Sequence, residues 1–318
     1  MDAAARPYLL LRPAERRANN NSALPGGGGI AELYPSMIIF HDSSCAEYHR
    51  AGDPERPERI TRTVPLLRER HPDWSWTKPA PATDEQLLRA HTDEHVRLVA
   101  KPGGDFDSDT PAHHNIDSYA RAAAGAAVAA ASRALAGEKS FSLMRPPGHH
   151  TTRDRAMGFC YFNNIAVAAL DALAQGARRV AIWDFDAHHG NGTEEILTGN
   201  ERIVFASIHQ YPGYPGTGLK SHANIENYPV APYSSRDIHM HAMEEALHDL
   251  LGAKPDLLLI SAGFDAYVHD PITQMSLELE DFATLGRWMA GIKVPVAAIL
   301  EGGYSDDLPE LIDAFLSG

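Results

Sequence analysis

The sequence predicts an α/β protein with a single folded domain, built on a mostly parallel sheet of about eight strands with helices on both faces. Three observations predict this class. From Met37 onward, short apolar runs alternate with stretches of helical pattern. Each apolar run is followed by a polar or glycine-rich loop. At 318 residues with 44% hydrophobic content, the chain is also long enough to bury one large core.

The individual strands are predicted from apolar runs that are short and nearly continuous, as in strands buried on both faces. In chain order they are M-I-I-F at 37–40, S-F-S-L-M at 140–144, R-V-A-I-W-D-F-D at 179–186, I-V-F-A-S-I-H at 203–209, D-L-L-L-I-S-A-G at 256–263 and V-A-A-I-L-E-G-G at 296–303. Helices are predicted at 119–135, which is rich in alanine, at 164–173 and at 238–251. Because ligands of open α/β sheets bind beyond the carboxyl ends of the strands, one site assembled from several distant segments is expected.

The first 35 residues differ from the rest of the chain. They contain N-N-N-S and P-G-G-G-G and show no periodicity, which predicts a disordered or loosely docked leader at 1–35 ahead of a domain at 36–318. Met37 is a candidate natural start codon. N-terminal sequencing of the native protein tests this hypothesis.

Composition narrows the class of protein. No apolar run reaches the roughly 18 to 20 residues of a membrane span, and the N-terminal Y-L-L-L is too short for a secretory signal, so a cytoplasmic protein without membrane contact is predicted. Its two cysteines do not form a disulfide framework or a thiolate metal site. The net charge of −14 argues against direct nucleic-acid binding and favours cationic or neutral partners. The sequence does not indicate an oligomeric state.

The segment W-D-F-D-A-H-H-G-N-G at 183–192 ends the third predicted strand. Residues two apart in an extended chain project to the same side, so Asp184, Asp186 and His188 are predicted to face one way. Carboxylate oxygen and imidazole nitrogen are suitable ligands for a divalent metal. Taken alone, the pattern is equally compatible with a hydrogen-bonded polar cluster at a sheet edge.

Polar side chains also follow three other predicted strands. S-A-G-F-D-A presents Asp265, R-P-P-G-H-H presents His149 and His150, and E-G-G-Y presents Tyr304. The carboxyl ends of parallel strands meet at one edge of the sheet, so these side chains are expected to lie in one site. Carboxylate, imidazole and phenol groups at four strand ends favour catalysis over packing.

With these segments in this order, the sequence resembles the histone deacetylase family, which has the arginase/deacetylase fold. The resemblance runs from about residue 40 to 304 and rests on R-P-P-G-H-H, G-F-C-Y-F-N-N, D-F-D-A-H-H-G-N-G, S-I-H, Y-P-G-T-G, S-A-G-F-D-A and E-G-G-Y. Asn191 stands where one branch of the family has aspartate, so the chain looks more like the class II branch and its bacterial histone deacetylase-like amidohydrolases. The implied activity is hydrolysis of the linear amide of acetyl-lysine.

The resemblance implies a metal site formed by Asp186, His188 and Asp265. The residue chemistry agrees, because two carboxylates and a neutral imidazole balance a dication and leave a fourth position open. Zn²⁺ is the metal that the family implies, although carboxylate-rich sites also accept Fe²⁺ or Co²⁺. The family further implies a structural K⁺ ion, held by backbone carbonyls of Asp184, Asp186 and His188 and by the hydroxyl of Ser207.

The resemblance also implies the catalytic groups. One imidazole of the tandem pair His149 and His150 takes a proton from the attacking water, and later one returns a proton to the leaving amine. Asp184 is implied to orient His149, and Asn191 to orient His150. Asparagine stabilises an imidazolium less than aspartate does, so His150 is predicted to be the neutral general base. Tyr304 is implied to donate its hydroxyl to the developing oxyanion.

The substrate pocket is implied in the same way. Gly158 and Phe159 on one side and Tyr214 on the other form the walls around an acyl-lysine stem, and Tyr214 stands where relatives more often have phenylalanine. Asp109 is implied to hold the substrate backbone at the rim. Ile272, in H-D-P-I-T, resembles the position where polyamine-selective relatives are expected to carry an acid. Its apolar side chain favours acyl-lysine as the substrate.

Three alternatives are weighed against this interpretation. A binuclear manganese ureohydrolase needs a second D-x-D pair, whereas Gly263 stands two residues before Asp265. An amidohydrolase of acetylpolyamines or other small acetyl-amines would use the same catalytic groups, and the acidic net charge suits it equally well. A non-enzymatic acyl-lysine-binding module is disfavoured because both tandem histidines and Tyr304 are present. P-E-R-P-E-R at 54–59 is predicted to be a salt-bridged scaffold.

Overall fold

A computed structural model describes residues 37–318 and contains one fully parallel sheet of eight strands in the order β2-β1-β3-β8-β7-β4-β5-β6. The predicted fold class is therefore confirmed. The predicted leader at 1–35 lies outside the described residues, and the domain boundary stays a prediction. The strands are β1 Ile38–Phe40, β2 Ser75–Thr77, β3 Ser140–Ser142, β4 Val180–Asp184, β5 Ile203–Gln210, β6 Ile225–Val230, β7 Leu257–Ala262 and β8 Val296–Leu300.

Helices connect the strands and pack against the sheet. The longest, α5, packs on β3 and β8, and α8 packs on β4, β5 and β6. The ten α-helices of residues 37–318 are α1 Glu58–Thr61, α2 Thr63–Arg70, α3 Asp84–Ala90, α4 Asp93–Ala100, α5 Ile116–Leu135, α6 Asn164–Ala174, α7 Asn191–Leu197, α8 Arg236–Gly252, α9 Leu279–Gly291 and α10 Leu308–Ser317. Among these helices, none is long and apolar enough to cross a membrane.

The six predicted strands are all present, and the two that the apolar pattern missed lie at the edges of the sheet. Every residue of β4 and β7, in the middle, is buried, which explains why their sequences are apolar except for Asp184 and Ser261 near their carboxyl ends. The edge strand β2 has three residues that are exposed or half-buried. The other edge strand, β6, alternates buried with exposed positions and includes Pro229. Neither edge strand gives the continuous apolar signal of a buried strand.

The strand β4 is shorter than predicted, and this changes the direction of the side chains that follow it. The strand ends at Asp184 rather than at residue 186, and the chain then turns. Asp184 and Asp186 consequently have different partners, as described below. The three side chains of Asp184, Asp186 and His188 are predicted to face one way, whereas in the structure the carboxylate of Asp184 contacts His149 and that of Asp186 contacts His188.

His239 on α8 is a buried histidine away from the sheet ends. Its side chain is fully buried, and neither ring nitrogen has a hydrogen-bond partner within the described part of the chain. Burial lowers the pKa of His239 to about 4, although the Asp281 carboxylate partly opposes this shift. The folded protein therefore holds this imidazole neutral, whereas the unfolded chain protonates it near its ordinary pKa of about 6.5.

We expect His239 to make the protein less stable as the pH falls. Because the unfolded state binds the proton first, the free energy of unfolding decreases below about pH 6.5, by roughly 2 kcal/mol between pH 7.5 and pH 5. His239→Leu should remove this contribution and be at least as stable as the wild type at pH 7.5, since two unpaired polar atoms disappear. Urea unfolding at both pH values measures it. The exposed control His248→Gln should keep the wild-type pH dependence, and an unchanged pH dependence in His239→Leu would contradict the expectation.

Candidate active site

A cavity of about 320 Å³ opens at the carboxyl ends of five adjacent strands, β3, β8, β7, β4 and β5. The loops that follow these strands carry the residues singled out in the sequence. The gathering of distant segments at this edge is what the parallel topology requires. The cavity is lined by Pro54, Asp109, His150, Gly158, Phe159, His188, Tyr214, Ile272 and Tyr304.

Asp186, His188 and Asp265 form a compact group at this cavity. Their ligand atoms all lie within 4.8 Å of one another. Nδ1 of His188 is 3.1 Å from Oδ1 of Asp186 and 2.8 Å from Oδ2 of Asp265. Both carboxylates are fully buried. Among residues 37–318, this is the one group of three or more such side chains that is arranged to hold a metal ion.

Backbone donors hold the two carboxylates in this arrangement. The amide of Gly302 donates to Oδ2 of Asp186 at 2.7 Å, and the amide of Ala187 donates to Oδ1 of Asp265 at 2.7 Å. Each carboxylate therefore turns its other oxygen toward His188. A Cβ atom at Gly263 would lie 2.1 Å from Oδ2 of Asp186. A side chain at Gly263 would collide with Asp186, so the second carboxylate of a binuclear site has no room in this arrangement.

The charges of this group fit a divalent cation. Burial lowers the pKa of His188, but the carboxylates of Asp265 and Asp186 outweigh this effect and hold the pKa well above its usual range. Burial, together with the negative charge of Asp186, raises the pKa of Asp265 to about 6. Two buried carboxylates beside one imidazole thus require positive charge, and a dication supplies it with the imidazole neutral.

The tandem histidines lie beside the metal-ligand group, with ring centroids 4.0 Å apart. Nδ1 of His149 is 3.1 Å from Oδ2 of Asp184, and Nδ1 of His150 is 2.8 Å from Oδ1 of Asn191. Because both partners are acceptors, each imidazole donates its Nδ1–H. In the neutral tautomer this leaves Nε2 with a free lone pair. The structure thus brings together both of the pairs that the resemblance implied.

Burial lowers the pKa of both tandem histidines, but their charged neighbours differ. For His149, the carboxylates of Asp186 and Asp184 outweigh burial and raise the pKa to about 10. For His150, burial and the positive charges of His149 and His188 hold the pKa well below its usual range. The pKa shifts of the two histidines therefore have opposite directions, as in a pair in which one imidazole acts as an acid and the other as a base.

Tyr304 borders the cavity on a turn that follows β8. Its side chain is buried, and its ring centroid is 5.8 Å from that of Phe159. The guanidinium of Arg59 lies over the Tyr304 ring, 4.9 Å from its centroid. Burial raises the pKa of Tyr304 well above its usual range, so the hydroxyl stays a hydrogen-bond donor at neutral pH.

The remaining predicted pocket residues also line this cavity. The ring of Tyr214 lies edge-on to His150, with centroids 5.0 Å apart, and is partly exposed at the mouth. Gly158 has a φ of 58°, and a Cβ atom there would lie 2.7 Å from Cδ2 of His150 and 3.0 Å from Cε1 of Tyr214. Only glycine therefore leaves the channel open at this point. Asp109 and Ile272 are half-buried and line the same cavity, and the roles that the resemblance implies for them stay predictions.

The segment implied to hold potassium lies next to Asp184. Ser207 on β5 pairs with Asp184 on β4, and its hydroxyl oxygen is 2.9 Å from Nδ1 of His209. Asp184 itself is fully buried, and its Oδ1 accepts the amide of Asp186 at 3.1 Å. The potassium site remains a prediction.

Two buried carboxylates of the site were not assigned roles from the sequence. Glu301, directly after β8, accepts the backbone amides of Gly148 and His149 on one oxygen, at 2.6 and 3.1 Å. Its position in E-G-G-Y at a strand end was the signal that could have identified it. Asp270 accepts the backbone amides of Ile272 and Tyr304, at 3.0 and 2.8 Å. An aspartate in a loop gave no comparable signal.

The P-E-R-P-E-R segment contains buried ion pairs, in line with the scaffold interpretation. Glu55 accepts from Arg59 at 3.1 Å and from Arg145 at 2.5 Å, with all three side chains buried. Arg145 immediately precedes the P-P-G-H-H loop. Arg59 also donates to the backbone carbonyl of Gly303 at 2.7 Å. These contacts therefore connect α1 to the loop that carries His149 and His150 and to the turn that carries Tyr304.

Comparisons with known proteins agree with this geometry. Residues 53–317 match the family model described as the histone deacetylase domain. The chain is 36% identical over 290 residues to a probable deacetylase of Archaeoglobus fulgidus, covering 84% of this chain and 81% of that protein. It is 40% identical over 212 residues to acetylpolyamine amidohydrolase 1 of Pseudomonas aeruginosa, covering 63% and 61%. The crystal structure of the HDA15 HD domain matches with a TM-score of 0.81 and 31% identity, covering 88% of each chain.

Proposed function

This chain belongs to the histone deacetylase family, and we propose that it is a metal-dependent deacetylase that hydrolyses the amide bond of acetyl-lysine. The observation that carries the proposal is the composition of the cavity. Its lining includes His188 of the metal-ligand group, His150 of the tandem pair and Tyr304. A ligand, a base and an oxyanion donor within one channel are the groups that amide hydrolysis needs.

The proposed metal ligands are Asp186, His188 and Asp265. Zn²⁺ suits a site with two carboxylates and one imidazole, and the same donors accept Fe²⁺ or Co²⁺. When bound, such a cation supplies Lewis-acid polarisation of the amide carbonyl and lowers the pKa of a water molecule. A K⁺ ion beside Asp184 and Ser207 is proposed as a structural element.

The proposed base is His150. Its Nδ1–H is fixed by Asn191 at 2.8 Å, so Nε2 presents its lone pair. The low pKa of His150 keeps this imidazole neutral, and it accepts a proton from the attacking water. His149, whose Nδ1–H is held by Asp184 at 3.1 Å, is the more readily protonated member of the pair. One imidazole of the pair then returns a proton to the leaving amine.

Tyr304 is the proposed oxyanion donor. The carbonyl oxygen of the amide gains negative charge as water adds, and the Tyr304 hydroxyl donates a hydrogen bond to it. Stacking on Arg59 and packing beside Phe159 restrict the phenol to one direction. A donor already in place before the reaction stabilises the developing charge without the cost of reorganisation.

The substrate class is argued from the mouth of the channel. Ile272 and Pro54 present apolar surface to a protein-linked lysine stem, and the Asp109 carboxylate, which also lines the cavity, can accept a hydrogen bond from the substrate backbone. The second candidate is an acetylpolyamine, which is favoured by the similarity to acetylpolyamine amidohydrolase 1 and by the net charge of −14.

Both cysteines of the chain are buried and unpaired, which supports the proposed cytoplasmic location.

Amine release from a matched pair of substrates tests the proposed function. The purified protein is given an acetyl-lysine peptide and, separately, acetylspermidine, and kcat/KM is measured for each. A higher kcat/KM for the peptide supports lysine deacetylation. A higher value for the polyamine moves the proposal to small-molecule metabolism, and turnover of neither substrate would overturn it.

A further inference from the structure

We propose that Asp270 is a positioning residue that fixes Tyr304 for catalysis. It holds the peptide unit between Gly303 and Tyr304 and connects this peptide to Ile272 at the mouth of the channel. The inference rests on the proposed function, because it takes Tyr304 as the oxyanion donor. It adds a residue that lies outside the cavity lining and acts through another side chain.

Asp270 uses each carboxylate oxygen for a different segment. Oδ2 accepts the backbone amide of Tyr304 at 2.8 Å, and Oδ1 accepts the backbone amide of Ile272 at 3.0 Å. Its side chain is 7% exposed, so water does not compete strongly for these bonds. Burying a carboxylate is costly unless donors satisfy it. Here both donors belong to segments that border the cavity.

The same peptide unit is held from its other end. Its carbonyl, on Gly303, accepts the Nε–H of Arg59 at 2.7 Å, while its N–H, on Tyr304, donates to Asp270. A buried guanidinium and a buried carboxyl group therefore hold one peptide plane between them. Arg59 also lies over the Tyr304 ring, 4.9 Å from the centroid. Rotation of this peptide would break both hydrogen bonds.

The position directly before Tyr304 accepts only glycine. Gly303 has a φ of 113°, which only glycine adopts without strain. A Cβ atom at that position would lie 2.8 Å from Cβ of Phe264 and 2.9 Å from Cδ1 of Leu308. Glycine by itself is flexible, so it permits this turn but does not fix it. The hydrogen bonds with Asp270 and Arg59 fix the conformation that the glycine permits.

Asp270→Asn tests the inference. An amide has one acceptor oxygen, so one of the two backbone N–H groups loses its partner and faces an NH₂ group instead. We expect kcat for the better substrate of the matched pair to fall about 10- to 100-fold, as when a charge-assisted hydrogen bond to a catalytic segment is lost, with KM little changed. An unchanged kcat would overturn the inference.

Asp281→Asn is the matched control. Asp281 is 8% exposed, accepts the backbone amide of Glu278 at 2.8 Å and pairs with Arg236 at 2.8 Å. It resembles Asp270 in burial and in its use of a backbone donor, but it caps α9 away from the cavity. We expect Asp281→Asn to lower the melting temperature and to leave kcat unchanged. A comparable fall in kcat in this control would assign the Asp270 effect to general destabilisation.

A double-mutant cycle and one crystal structure separate this inference from the proposed function. If Asp270 acts through Tyr304, Asp270→Asn should cost about twofold or less in a Tyr304→Phe background, and a full additional loss would contradict it. In a crystal structure of Asp270→Asn, the Tyr304 ring should shift relative to Arg59. Absence of turnover by the wild type would overturn only the proposed function, because this displacement does not depend on activity. An unmoved Tyr304 would overturn the inference in either case.

Discussion

Replacing Tyr304 with phenylalanine is expected to lower kcat about 10²- to 10³-fold, the loss seen when one preorganised oxyanion donor is removed. KM should change little, because the hydroxyl acts mainly on the charge that develops during the reaction. The phenylalanine ring keeps its contacts with Phe159 and Arg59, so the fold and the channel walls are retained. Steady-state kinetics on the better substrate of the matched pair measure the effect.

Tyr228→Phe is the control for this experiment. The hydroxyl of Tyr228 donates to Asp249 at 2.9 Å, on β6 and α8 at the edge of the sheet. Losing that hydroxyl removes one hydrogen bond without touching the cavity, so kcat should stay at the wild-type value. Retention of wild-type kcat by Tyr304→Phe would contradict the role proposed for the phenol.

Asp265→Asn is expected to remove both metal binding and activity. The substitution keeps the shape of the side chain but takes one negative charge from the ligand group, so the cation is no longer balanced. We expect the bound metal, measured by elemental analysis, to fall from one per chain to a small fraction. Activity should fall more than about 100-fold, beyond what is lost when only a supporting contact of a ligand is changed.

A stability measurement gives Asp265→Asn a readout that does not depend on activity. Added Zn²⁺ should raise the melting temperature of the metal-free wild type, because a ligand that binds only the folded state stabilises it. Asp281→Asn should keep this response, whereas Asp265→Asn should lose it. A variant that lacks Asp265 and still binds one Zn²⁺ with wild-type affinity would rule out the proposed ligand set.

The centre of the fold was predictable because strands that are buried on both faces need mostly apolar sequences. Strands β4 and β7 are covered on both faces, and their sequences are apolar for four residues or more before the first polar side chain. The edge strands β2 and β6 are partly exposed and mix polar with apolar residues, so they carry no such signal. Short helices such as α3 begin at a capping residue, Thr83, whose side chain accepts the amide of Gln86. The capping motif T-D-E-Q at 83–86 marks this helix start in the sequence.

The predictable part of the site consists of residues whose side chains are proposed to act directly. Asp186, His188, Asp265 and Tyr304 stand in recognisable segments at strand ends, and the structure brings them to one cavity. Asp270 was not predictable, because it contributes through backbone amides that approach it only after folding. One of these, Tyr304, is separated from it by 34 positions. The separate partners of Asp184 and Asp186 likewise depend on where β4 ends, which the alternation of residues does not determine.

The measurement that tests the central claim most directly is amine release by the same protein sample before chelation, after chelation and after Zn²⁺ is restored. If Asp186, His188 and Asp265 hold the catalytic metal, activity on the acetyl-lysine peptide should disappear with chelation and return with about one equivalent of Zn²⁺ per chain, as expected for a single three-residue site. The metal-depleted protein should remain folded, which circular dichroism can check. Full activity in protein shown to be free of metal would contradict the account.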